Sequence, residues 1–298
     1  MINLIFLGLM AVSPGETMIK SDLDELYASF LLSSATIEEK TLVTFIGSTS
    51  IDLVLIDLKK NSVHFIKDGR IPQLGIYTLN TVEDRFVVLE NRFTPQSKMI
   101  QLTKEGEFIQ QTKFSQLKNF PKDIQFGVAT ALPKGNYLVT YQTHANSEQT
   151  FLGKIDNEAN AFEILQVYPK EEDKNFIIVC VQDQFLKLEM ETGKIVLLNK
   201  HSFQEEKCLR KADPLVEKDN PLMSRYKGTV NTVINLDHSL SILWFNHFKN
   251  GEVLSTPIHE VFHIAPDLSF SKSSEFILSQ YSGKTLSLSI EDGEFRVQ

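Results

Sequence analysis

Two cysteines in 298 residues cannot build a disulfide framework. Cys180 lies in the apolar run FIIVCV and reads as a small buried hydrophobe, whereas Cys208 lies in a charged stretch and reads as exposed. A bridge between them is the alternative, disfavoured by the strict geometry a disulfide demands. The chain has no C-x-x-C pair, zinc-ribbon spacing or lipidation-type C-terminus, and no G-x-S-x-G elbow, Walker loop or G-x-G-x-x-G. Basic residues are in deficit, 30 against 38 acidic ones, for a net charge of −8 and a pI near 5.5. That balance argues against nucleic acid, whose backbone needs a basic surface to displace its counterions. Helical periodicity is also scarce. The best candidate is Ser21 to Leu32, where Asp22 could cap a short helix.

The apolar run from Leu4 to Val12 in MINLIFLGLMAVSPGE is far too short to span a bilayer, so no membrane span is expected. It resembles the core of a signal peptide, but no Lys or Arg precedes it and Pro14 sits awkwardly for cleavage. We therefore read residues 1–26 as an N-terminal segment contributing an extra strand. That reading favours the cytoplasm over export.

What the chain does have is short apolar segments, rich in Val, Ile, Phe, Leu and Thr and bounded by Gly, Asn, Asp or Pro. These are strand and turn signals, so the chain reads as all-β. One hairpin pattern recurs as LVLIDLKKNSVHFI (53–66), KMIQLTKEGEFIQ (98–110), FLGKIDNEANAFEIL (151–165), FLKLEMETGKIVLL (185–198), ILWFNHFKNGEVLS (242–255) and LSLSIEDGEFRV (286–297). Its turn residues Asn61, Gly106, Asn160, Gly193, Gly251 and Gly293 recur at intervals averaging about 46 residues, near the roughly 40–50 of a four-stranded propeller blade. A further apolar strand precedes most copies, as in RFVVLEN (85–91) and NYLVTYQ (136–142), and ahead of several lies another candidate, such as GIYTLNTV (75–82) or FGVATAL (126–132).

On this repeat the chain resembles the six-bladed β-propeller superfamily, the architecture of NHL-type, TolB-type and lactonase-type proteins. The expectation is one propeller over residues 27–298, with six blades of four antiparallel strands. The short step from Asn160 to Gly193 leaves room for a degenerate fourth blade, for seven blades or for a split sandwich. No WD dipeptide, kelch double glycine or Asp-box accompanies the repeat, so no functional residue is carried over by motif.

One segment breaks the rhythm. NKHSFQEEKCLRKADPLVEKDNPLMSRYKG is polar and long, and we read residues 199–228 as an insertion outside the blades. Lys207, Arg210, Lys211 and Arg225 are its candidate partner-binding residues.

HEVFH at 259–263 matches the H-E-x-x-H of zinc peptidases, which works only on a helix, where positions i and i+4 share a face. Pro257 and Pro266 bracket the motif and leave no room for such a helix. In a strand His259 and His263 share one face and Glu260 takes the other, so the match reads as chance. A two-histidine metal site remains, with His259 and His263 on the innermost strand of the last blade, near the axis; no other cofactor is implied. The functional reading is a non-catalytic propeller that binds a peptide, a protein or a small ligand. The alternative is a lactonase-like hydrolase or lyase with a polar or metal site at the axial channel.

Overall fold

The computed structural model describes residues 31–46, 51–71, 77–91, 93–146, 148–158, 160–169, 176–189, 193–211, 227–234, 239–249, 252–289 and 295–297. The first sheet holds β1 (Leu31–Ile37), β2 (Lys40–Ile46), β3 (Ile51–Asp57) and β4 (Ser62–Phe65). The second holds β5 (Tyr77–Val82), β6 (Arg85–Glu90), β7 (Lys98–Thr103) and β8 (Phe108–Lys113). The third holds β9 (Ile124–Ala131), β10 (Tyr137–Thr143), β11 (Gln149–Asp156) and β12 (Ala161–Pro169). The fourth holds β13 (Phe176–Val181), β14 (Gln184–Glu189), β15 (Ile195–Leu198) and β16 (Glu205–Arg210). The fifth holds β17 (Lys227–Ile234), β18 (Leu240–Lys249), β19 (Glu252–Ile264) and β20 (Phe270–Ser273). Three described strands make the last sheet, β21 (Glu275–Tyr281), β22 (Lys284–Ser289) and β23 (Phe295–Val297).

Every sheet is an antiparallel meander, and the described residues contain no α-helix, only 3-10 turns at Phe114–Gln116 and Pro133–Gly135. The helix expected over 21–32 is corrected at its end, because Leu31 and Leu32 open β1. Its remaining residues, and the segment 1–26, lie outside the described residues. Four strands per sheet hold in five sheets, and the sixth has three among the described residues.

The sheets are buried on both faces, which explains why their strands are apolar at consecutive positions. Side chains alternate across a strand, so each strand feeds two layers. On β6, Phe86 and Val88 pack with Leu42, Leu53 and Leu55 of the first sheet, while Val87 and Leu89 pack with Val139 and Tyr141 of the third. On β13, Ile178 faces Leu138 and Leu152 of the third sheet, while Ile177 and Val179 face Leu240 and Ile242 of the fifth. The ring then closes on itself. Leu243 and Val261 of the fifth sheet, Phe276, Leu278, Leu286 and Leu288 of the sixth, and Val43, Val54 and Ile56 of the first form one cluster. Sheets stacked face to face in a closed cycle make a β-propeller.

The hairpin repeat is displaced by one strand partway along the chain. Its first three copies are the third and fourth strands of their sheets, β3–β4, β7–β8 and β11–β12; its last three are the second and third, β14–β15, β18–β19 and β22–β23. The short step from Asn160 to Gly193 is this change of frame, and the fourth sheet is complete. Four of the six turn markers, Asn61, Gly106, Asn160 and Gly193, have positive φ, as tight hairpin turns require; Gly251 and Gly293 lie outside the described residues. Both cysteines are free, Cys180 buried and Cys208 exposed.

Candidate binding surface

The first strands of the sheets lie innermost: β1 contacts β5, β17 and β21, and β9 contacts β5 and β13. An innermost strand has a neighbour on one side only, so its other edge carries backbone groups that need partners. Short polar side chains of adjacent sheets supply several of them. Ser33 Oγ accepts the Leu79 N–H at 2.9 Å, and Thr36 donates to the Leu278 carbonyl. Thr78 donates to the Ala129 carbonyl at 3.2 Å and Thr130 to that of Ile178. The buried Asn80 amide donates to the carbonyls of Leu132 and Asn136 at 2.9 and 2.7 Å, tying the second sheet to the third. Thr41 donates to Ser279 at 2.7 Å and joins the first sheet to the last. These hydroxyls and this amide are thus engaged in holding sheets together, whereas the buried Ser34 hydroxyl, also on the innermost strand β1, has no hydrogen-bond partner.

The zinc-motif residues stand elsewhere than expected. β19 is the third strand of its sheet, not the innermost strand of the last one, because the chain continues straight out of the β18–β19 hairpin through HEVFH. His263 pairs in register with Ser241, and its Nδ1 lies 3.1 Å from the Ser241 hydroxyl. Glu260 accepts from Lys272 at 2.9 Å, while the next residue on its face, Phe262, is buried against the fourth sheet. Four residues along a strand separate two backbones by about 13 Å, the spacing of His259 and His263 along β19. Among the described residues no three His, Cys, Asp or Glu side chains converge to hold a metal.

The long polar stretch also needs correction. Residues 205–210 are not outside the blades; they form β16, which pairs with β15 as the fourth strand of its sheet. An outer strand meets solvent along most of its length, so it can be polar and still belong to the sheet. EEKCLR shows four consecutive exposed residues before Leu209 and Arg210 turn partly inward. Two lysines fasten it. The buried Lys187 lies 4.7 Å from the Phe176 ring centroid and donates to Glu205 Oε1 at 3.1 Å, and Lys194 donates to Oε2 at 3.0 Å. Residues 212–226, Arg225 among them, lie outside the described residues.

Partial burial pushes the Glu205 carboxyl up, but the hydrogen bonds from Lys194 and Lys187 outweigh it and hold the group below the usual carboxylate range. A depressed folded-state pKa contributes stability above the unfolded value, and that contribution disappears as pH falls through the folded one. Urea midpoints measured at neutral pH and in acid should therefore fall more for the native protein than for Glu205→Gln, which has no such proton to take up.

The three described partner-binding candidates separate. Lys207 and Lys211 are exposed. Arg210 instead reaches across to the fifth sheet, its guanidinium 5.1 Å from the Phe262 ring centroid, and donates to the Gly193 carbonyl. From β20, Lys272 lies 5.3 Å from the same centroid, and Phe270 stacks on Phe262 at 5.0 Å while remaining 36% exposed. Sequence reasoning missed Phe270 and Lys272 because FSKS has no strand-like run; the turn signal at Pro266–Asp267 was the available hint of a hairpin. No helix among the described residues is long and apolar enough to cross a membrane.

No protein-family model and no curated protein matches the chain. Solved structures do match. A chain of a nidogen–laminin complex aligns at 10% identity and a TM-score of 0.50, over 92% of this chain and 84% of its own. A luciferin-regenerating enzyme aligns at 11% identity and a TM-score of 0.50, over 87% of this chain and 83% of its own. At such identities the likeness is one of fold.

Proposed function

We propose that this propeller is a non-catalytic binding protein whose ligand is a protein or a peptide. The observation that carries the reading is how its polar groups are divided. Near the axis, where an enzyme of this architecture would gather its reactive side chains, Ser33, Thr78, Asn80 and Thr130 are engaged between neighbouring sheets. On the outer flank Phe270 meets solvent, stacked on the ring that also carries Arg210, and aromatic and arginine side chains are those that protein-recognition surfaces enrich. The fold does not decide between the readings, since its structural neighbours include a chain from a protein complex and an enzyme.

The test pairs two screens on one preparation of the full chain. Lactone and glycoside substrates with calcium or magnesium should give no turnover above buffer, and a peptide array should yield sequence-selective binding. Metal-dependent turnover that disappears when residues of the innermost strands are replaced would establish the lactonase-like alternative and remove this reading.

A further inference from the structure

The flank where the fourth and fifth sheets meet gathers four cations, with Glu260 paired to one of them. Arg210 ends β16 with Lys211 beside it and Lys207 three residues before, and Lys272 lies on β20, the outer strand of the next sheet. Arg210 and Lys272 are within about 10 Å of each other, because each lies about 5 Å from the Phe262 centroid. Phe270, stacked on that ring, offers an exposed aromatic surface at the same place.

We propose that this strip docks an extended, acidic segment of a partner protein, an inference that rests on the binding reading above and specifies its ligand. The first argument is charge complementarity. A chain with a net charge of −8 repels an acidic partner over most of its surface, so an anionic segment is drawn to the place where cations gather. The second is spacing. Alternate residues of an extended segment recur about every 6.6 Å, so carboxylates on one side of it can reach cations spaced as these are, and an apolar residue between them can rest on Phe270. In the free protein Lys272 is held by Glu260 at 2.9 Å, and an incoming carboxylate competes for the same ammonium. The rest of the acidic surface disfavours a nucleic acid, whose charge extends beyond so small a patch.

The experiment measures fluorescence anisotropy of a labelled peptide alternating glutamate with phenylalanine. A lysine-for-glutamate version and a single-stranded oligonucleotide serve as comparators. The acidic peptide should bind and weaken about tenfold or more between roughly 50 and 300 mM salt, as screening of surface charges requires. The double variant Lys211→Glu/Lys272→Glu, both exposed positions, should lose about tenfold or more in affinity while still unfolding cooperatively on heating. Absence of binding, equal binding of the oligonucleotide or the lysine peptide, or full affinity in a folded double variant would each overturn the proposal. If the acidic peptide fails while the array yields another ligand, only this docking site is wrong. If both fail and a substrate is turned over, the binding reading falls with it.

Discussion

Replacing Phe262 with alanine is expected to cost the protein about 3–5 kcal/mol of stability, the range for deleting a large buried aromatic side chain. Phe262 is 1% exposed and belongs to the cluster that joins the fourth sheet to the fifth, with Ile177, Leu186, Ile242 and Ile264 around it. Its ring also carries Arg210, Lys272 and Phe270, so truncation leaves two cations and a half-exposed aromatic without their platform. Glu260, two residues earlier on the same face, is only partly buried and pairs with an exposed lysine. Glu260→Gln should therefore shift stability by no more than about 1 kcal/mol and leave binding to any partner elsewhere unchanged. Urea denaturation of the Phe262 variant tests the strand reading of HEVFH, and a peptidase assay of the parent against Glu260→Gln tests the other reading. In a peptidase, Glu260 would be the residue that could not be replaced.

Gly135→Ala should be the second severe change, at about 2–5 kcal/mol, the sum of a backbone and a packing cost. Gly135 has φ of +67°, a left-handed conformation that costs a residue with a Cβ about 1–2 kcal/mol. A Cβ there would also sit 1.8 Å from Cγ2 of Val82 on the second sheet. Val82 must move, and overpacking of this kind adds roughly 1–3 kcal/mol. The position matters because the turn from β9 to β10 is docked against the second sheet, where Asn80 reaches the carbonyls of Leu132 and Asn136 on either side of Gly135. Thermal unfolding measured beside Gly69→Ala tests this, since a methyl at Gly69 would meet nothing within 4 Å and the change should be tolerated.

The all-β class and the repeat were legible because inner and middle strands sit between two apolar layers, and runs such as RFVVLE and FIIVCV record that burial directly. Strand frame was less legible. A hairpin of second and third strands and one of third and fourth strands have the same apolar-turn-apolar pattern, and only long-range pairing tells them apart. The outer strands β16 and β20 were hidden for a related reason: one-sided burial lets EEKCLR and FSKS be polar, so they looked like loops. The charged candidates Lys207, Arg210 and Lys211 were visible as residues, but their division into exposed lysines and an arginine stacked on Phe262 depends on a strand more than fifty positions away. The displacement of HEVFH from the innermost strand follows from the same frame error.

The layer joining the first sheet to the last governs when this chain can fold. Thr41 and Ser279 are 238 residues apart in sequence, and Lys284 reaches the Leu58 carbonyl and the Asn61 side chain at 2.8 Å across a similar separation. During synthesis, Val43, Val54 and Ile56 leave the ribosome long before Phe276, Leu286 and Leu288 exist to cover them. One flank of the nascent first sheet therefore stays wet and adhesive for most of translation. Closing so long a loop carries an entropic penalty that the final contacts repay only when they form together. Folding to completion is thus a late event, and the interval before it is when the chain is most exposed to self-association and to chaperones.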